Sequence, residues 1–319
     1  MLHLGGWDVH THIVPPAVVA AGECGKFGMR ALPGTLMICA HGVPLHPLSE
    51  VNRLADRIKS DDLDGAIVSV PPPLFRPDLA AKDCRDYTHL VNDGLYEACR
   101  SHDRTLRPLA YLPVEAPEVA ATVARSLDAR WAGVVMGTET GGLSYASAEL
   151  DPLWEILSDK KLSLVIHPGS TPDKRLDPFY LTNLLGNPVE TTIAAANLIF
   201  AGVVHRFPGL KVILAHGGGC VAALCGRWQR GAVTNRPGIP KLTLEPKDAV
   251  RRFYVDSSFI RRRFLIPLSK PLETTASCSA ATGRFQWARP APITTSVIST
   301  RRYAGVYVNP MLNRRLAIV

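Results

Sequence analysis

Four histidines stand where apolar runs end, and imidazole is the side chain that both ligates divalent metals and moves protons near neutral pH. His10 and His12 close the segment Trp7-Asp8-Val9-His10-Thr11-His12. In extended backbone, residues i and i+2 point to the same side, so this pair can converge on one cation. Leu162-Ser163-Leu164-Val165-Ile166-His167 and Leu210-Lys211-Val212-Ile213-Leu214-Ala215-His216 each run an apolar strand directly into a histidine. Taken singly, such a histidine can satisfy a nearby carbonyl, and a His-x-His can be two polar residues at a strand end. Three strand ends finishing in the same residue type point to a shared metal centre. A divalent ion there polarises a substrate oxygen, and a histidine beside it passes a proton to or from substrate. Gly217-Gly218-Gly219, directly after His216, lets backbone approach a ligand closely or makes a tight turn.

The elements that must carry these histidines follow from apolar patterning. Short runs rich in Val, Ile and Leu predict buried parallel strands near Gly6–Val9, Gly65–Val70, Arg107–Leu112, Ala132–Met136, Leu162–Ile166, Lys211–Ala215 and Phe253–Val255. Between them, helices are expected at Pro47–Lys59, Tyr87–Arg100, Pro117–Ala129 and Pro152–Leu157. Asp151 is the expected cap of the last, with Pro152 in its first turn. Seven alternations of strand and helix imply a parallel α/β architecture, which fits a doubly wound sheet or a barrel. Polar residues closing several separate strands favour the barrel, because a doubly wound sheet gathers its chemistry at one switch point.

The pattern Asp8-x-His10-x-His12, His167-Pro168, Asn187-Pro188-Val189-Glu190-Thr191-Thr192, Phe207-Pro208-x-Leu210-Lys211 and His216-Gly217-Gly218-Gly219 resembles the amidohydrolase superfamily. It is most similar to the branch of aminocarboxymuconate-semialdehyde decarboxylase and related aromatic-acid decarboxylases, over residues 5–256. The resemblance implies an α/β, TIM-like (β/α)8 barrel in which His10, His12 and His167 ligate zinc or another divalent metal such as manganese. It implies His216 as the catalytic proton-transfer group and Arg227 as an arginine near substrate. Asp256 matches the family's strand-seven aspartate, with a catalytic or a structural role. The implied activity is a metal-dependent, non-oxidative decarboxylase of a small aromatic or unsaturated carboxylic acid, working as a homodimer. A hydrolase or hydratase on the same scaffold is the alternative.

One family feature is missing. No Gly-Ser/Thr-Asp-Tyr-Pro segment follows Asp256, so the barrel is expected to be incomplete or distorted at strand eight, and an inactive chain is a third reading. Arg76, Lys174 and Arg175 follow strands two and five on the side where substrate should bind, and Arg175 is taken as a second contact for its carboxylate. His41 and His46 are read as a surface loop before the first main helix. His89, His102 and His205 are read as non-catalytic.

At 319 residues the chain can hold one large domain. Its net charge of +8 would ordinarily raise nucleic acid as a partner. The distribution argues otherwise. Ser257–Val319 holds ten Lys/Arg and one acid, Glu273, whereas residues 1–256 hold 26 basic and 27 acidic groups. The excess belongs to the last segment and not to the enzyme body. The organisation expected is therefore residues 1–256 as the metal-dependent barrel and 257–319 as an atypical basic tail, out of frame or divergent. In one shifted frame, codons permitted for Pro290–Ser296 read Gly-Ser-Asp-Tyr-x-Phe, close to the missing motif. No apolar run suggests a membrane span and the N-terminus lacks a signal-peptide pattern. Seven cysteines without a Cys-x-x-Cys pair argue against a disulfide framework, so the cytoplasm is the expected compartment.

Overall fold

Seven of the apolar runs form one parallel sheet, whose strands follow each other across it in chain order. The structure is a computed structural model that describes residues 6–256, apart from 40, 62, 139–142, 170 and 172. Its strands are β1 (Trp7–His12), β2 (Met29–Leu32), β3 (Thr35–Ile38), β4 (His41–Pro44), β5 (Gly65–Ser69), β6 (Leu106–Tyr111), β7 (Gly133–Gly137), β8 (Ser163–His167), β9 (Lys211–Leu214) and β10 (Phe253–Val255). The large sheet runs β1-β5-β6-β7-β8-β9-β10 with every pair parallel. A doubly wound sheet would reverse its order at a switch point. This one never reverses, and the end of β1 meets the residue after β10 through His10 and Asp256. The sheet therefore curls, as a barrel requires. The expected eighth strand, and the whole basic segment 257–319, lie outside the described residues.

The helices are α1 (Pro16–Glu23), α2 (Val51–Ser60), α3 (Ala81–Arg100), α4 (Pro117–Ser126), α5 (Asp151–Asp159), α6 (Asn187–Phe200), α7 (Val203–Arg206), α8 (Val221–Val233) and α9 (Pro246–Ala249). Both faces of the sheet are covered, which is why its strands read as continuous apolar runs. Val134, Met136, Leu164, Ile166, Val212 and Leu214 pack with Trp154 and Leu198 of the flanking helices. Val135 and Val165, one residue out of phase, join a second cluster with Leu109 and Tyr111. No helix among the described residues is long and apolar enough to cross a membrane.

Three expectations change. The segment before the first main helix is no simple loop: β2, β3 and β4 form an antiparallel sheet, with His41 exposed on β4. Its strands are only four residues long, too short for alternation to declare itself in sequence. Helix α2 starts at Val51 and not Pro47, because a turn closed by Ser49 N–H to Leu45 O and Glu50 N–H to Pro47 O comes first. Asp151 does not cap α5. A 3-10 turn over Ala148–Leu150 precedes the helix, and the Asp151 carboxylate accepts from both terminal nitrogens of Arg206, at 2.5 and 2.9 Å.

Candidate metal centre

The C-terminal ends of β1 and β8 and the turn after β9 bring the four histidines together. His10 and His12 reach the same side of β1, and His167 ends β8. His10, His12 and His167 each offer one nitrogen, all within 4.8 Å of one another. His216 follows β9 after Ala215. Its ring centroid lies 5.3 Å from that of His10 and 4.9 Å from that of His167.

Hydrogen bonding behind these rings decides which nitrogens face the centre. The Nδ1 of His167 lies 2.9 Å from the Pro168 carbonyl, which can only accept, so Nδ1 carries the proton and Nε2 is bare. The Nδ1 of His10 lies 2.5 Å from Asp256 Oδ2, and an ionised carboxylate also only accepts. The Nε2 atoms of His10 and His167 thus oppose each other at 3.1 Å. Two lone pairs at that distance repel unless a cation or proton lies between them, so the donor set fits a divalent ion. His12 Nδ1 is held by Ser69 Oγ at 2.9 Å. These outer partners orient metal-binding imidazoles and fix their tautomers.

Burial and mutual proximity hold His12, His167 and His216 neutral. Burial, then the neighbouring His10, lowers His12 from 6.5 to about 3. His167 is pushed well below 6.5 by burial and by His12 and His10. Burial and His10 lower His216 to about 4. Neutral imidazole is the form that ligates metal.

Asp256 is buried at 2% exposure and serves two elements. Burial pushes its carboxyl up, but the hydrogen bond and charge of His10 outweigh this and hold it below its ordinary value. While Oδ2 meets His10, Oδ1 accepts from Gly217 N–H at 2.8 Å. Asp256 thereby sets the turn that carries His216. That turn is demanding: His216 adopts φ 57°, left-handed backbone that costs a non-glycine residue energy. Gly219, at φ 59°, lies against α6, where a Cβ would come within 2.1 Å of Pro188 O.

Arg175 is exposed and its guanidinium is paired with Asp173 at 2.5 Å. Lys174 is also exposed, in the same 3-10 turn. Arg227 is exposed on α8. Arg76, expected on the substrate side, is buried: at 4% exposure it binds both oxygens of Asp78 at 2.6 Å and donates to Phe27 O. His46 is exposed and bonds Glu50 and Arg53, while His102 bonds Asn52. Sequence reasoning missed Ser69, although a polar residue ending a wholly apolar strand was the available signal. It also missed Phe75, whose ring lies edge-on to His167 at 6.4 Å and stacks on Tyr111 at 5.3 Å.

A curled parallel sheet with three histidines at strand ends defines a class: α/β enzymes that hold a divalent metal ion at the mouth of a barrel. The chain belongs to the amidohydrolase family, whose model matches residues 7–292. It is 28% identical over 215 residues to 2-amino-3-carboxymuconate-6-semialdehyde decarboxylase of Dictyostelium discoideum, covering 66% of this chain and 58% of that protein. It is 29% identical over 274 residues to 6-methylsalicylic acid decarboxylase of Penicillium expansum, covering 79% and 76%. Among solved structures, 5-carboxyvanillate decarboxylase of Sphingomonas paucimobilis superposes with a TM-score of 0.66 at 22% identity, over 79% of this chain and 80% of that one. A 5-carboxyvanillate decarboxylase from Novosphingobium aromaticivorans, a mutant with bound manganese, gives a TM-score of 0.65 at 19% identity over 79% and 78%. The relatives named are decarboxylases of carboxylic acids, and the likeness in structure extends the shared fold to this chain.

Proposed function

We propose that the protein is a metal-dependent, non-oxidative carboxy-lyase acting on a small aromatic or unsaturated carboxylic acid. The observation that carries this reading is the approach of the Nε2 atoms of His10 and His167 to 3.1 Å, with their Nδ1 atoms committed elsewhere. His10, His12 and His167 would hold the ion, zinc or manganese. When bound, it supplies a fixed positive charge that polarises a substrate oxygen and steadies carbanion-like charge.

His216, neutral at neutral pH, takes up a proton in the site and delivers it to the carbon that loses carbon dioxide. One proton replaces one carbon dioxide, so no electron acceptor is required. Asp256 orients His10 and the His216 turn. Arg227 and Arg175 are the proposed partners of the substrate carboxylate. Phe179, Tyr180, Leu184, Leu185, Val189 and Ile193 are exposed within one stretch of chain, and this supports a homodimer. The cytoplasm is the compartment the cysteine pattern favours.

The test is carbon dioxide release from zinc- or manganese-loaded protein against a panel of hydroxybenzoates and unsaturated acids. Equimolar carbon dioxide and decarboxylated product is the expected result. Ring-opened or hydrated product would establish the hydrolase or hydratase alternative. The absent strand-eight aspartate segment favours a third outcome, a chain that binds metal and turns nothing over. Elemental analysis of a His10→Ala, His12→Ala double variant checks the ligands: wild-type metal content there would sink the assignment.

A further inference from the structure

We infer that Arg57 is a positioning residue for the metal ligands, acting through Asp8 to hold a bulge in β1 that turns His10 toward the centre. The inference rests on the reading of His10, His12 and His167 as a metal site. Asp8 pairs with Ala66 and Thr11 with Val68, so Val9 and His10 together stand opposite the one residue Ile67. Strict alternation would place residues 8, 10 and 12 on one face. The extra residue breaks that phase. Asp8 and Thr11 both meet α2, while His10 and His12 face His167.

A bulge leaves backbone groups outside the ladder, and here a side chain satisfies one of them. His10 N–H donates to Asp8 Oδ1 at 3.0 Å. Arg57 Nη2 donates to Asp8 Oδ2 at 2.7 Å and to Thr11 Oγ1 at 3.1 Å, so one guanidinium nitrogen grips both flanks of the bulge. Asp8 is buried at 3% exposure, and without Arg57 its carboxylate would lose its charged partner. The chain could then recover its hydrogen bonds by a one-residue slip, which would carry His10 to the other face. Arg57 itself is half exposed on the last turn of α2, so replacing it opens no hole in the core.

The experiment is titration of metal-free full-length protein with Mn2+, read by loss of the free-ion paramagnetic resonance signal, beside a melt of the metal-free form. Arg57→Ala should weaken Mn2+ binding roughly ten- to a hundredfold, the range for lost outer partners of ligands. Arg57→Lys should recover part of this, keeping the charge without the planar fork. Arg53→Ala, one turn earlier on α2, should bind as wild type does. Wild-type affinity in Arg57→Ala overturns the inference, as does an equal loss in Arg53→Ala, which would make the effect one of helix stability. Should Arg57→Ala fail to fold, Asp8→Asn is read by the same titration, and unchanged affinity there also overturns it. Wild-type protein that takes up neither Mn2+ nor Zn2+ overturns the metal reading itself, a result distinct from any difference between variants.

Discussion

His10 Nδ1 lies 2.5 Å from Asp256 Oδ2, joining the first strand of the parallel sheet to the residue that follows its last. The same carboxylate accepts from Gly217 N–H, so one buried group orients His10, the proposed ligand, and the turn that holds His216, the proposed proton carrier. Asp256→Asn keeps the size but removes the charge that fixes the His10 tautomer. Its metal affinity should fall about ten- to a hundredfold, measured by calorimetric titration. Asp256→Ala should also leave Gly217 N–H without its acceptor, lowering stability by a further ~1–3 kcal/mol in denaturant melts. Equal metal affinity in both variants and wild type would refute the orienting role.

His216 is expected to move protons without anchoring the ion. His216→Asn should keep its metal by elemental analysis and lose about two or more decades of turnover. Joint loss of metal and activity would make His216 a fourth ligand. An active, metal-replete variant would leave it as a turn residue.

Acid should destabilise the metal-free protein. His12 titrates near 3 and His216 near 4 in the folded chain, and His167 lies well below 6.5, whereas all three recover about 6.5 when unfolded. Above that value both states hold them neutral and their contribution to stability is complete. As pH falls below 6.5 the unfolded chain binds protons first, and stability is lost progressively until the folded values are reached. Urea melts of metal-free protein at pH 7, 6 and 5 should show this loss. A pH-independent midpoint would contradict the buried neutral cluster. Added metal should raise the midpoint at pH 7, because it binds the folded form alone.

The basic segment 257–319 makes a prediction about the gene. If it arises from out-of-frame translation, coding DNA across codons 250–319 should contain an alternative frame encoding strand, aspartate and helix. The frame-restored chain should then bind metal more tightly and melt cooperatively. Sequencing decides it: if neither frame encodes that continuation, the segment is a genuine divergent ending. The family match, which runs on to residue 292, covers part of this stretch.

The amino-acid sequence by itself determined the strands of the sheet and which three histidines converge. Continuous runs such as Leu162–Ile166 could only be strands buried on both faces, and each was found within a few residues of its expected bounds. The convergence of His10, His12 and His167 was also legible, because a strand end aims its last side chain wherever the strand leads. Tertiary structure decided what stands behind and around those rings. The face that Asp8 presents depends on a bulge, which shows only as a register with β5. Asp256 is separated by 246 residues from the His10 it orients, and Ser69 by 57 from His12. Arg76 was expected on the substrate side, yet Asp78, two residues on, pairs with it where it is buried. Patterning reports which way one segment faces. Partnership between side chains depends on distances across strands, and those exist only once the sheet has curled.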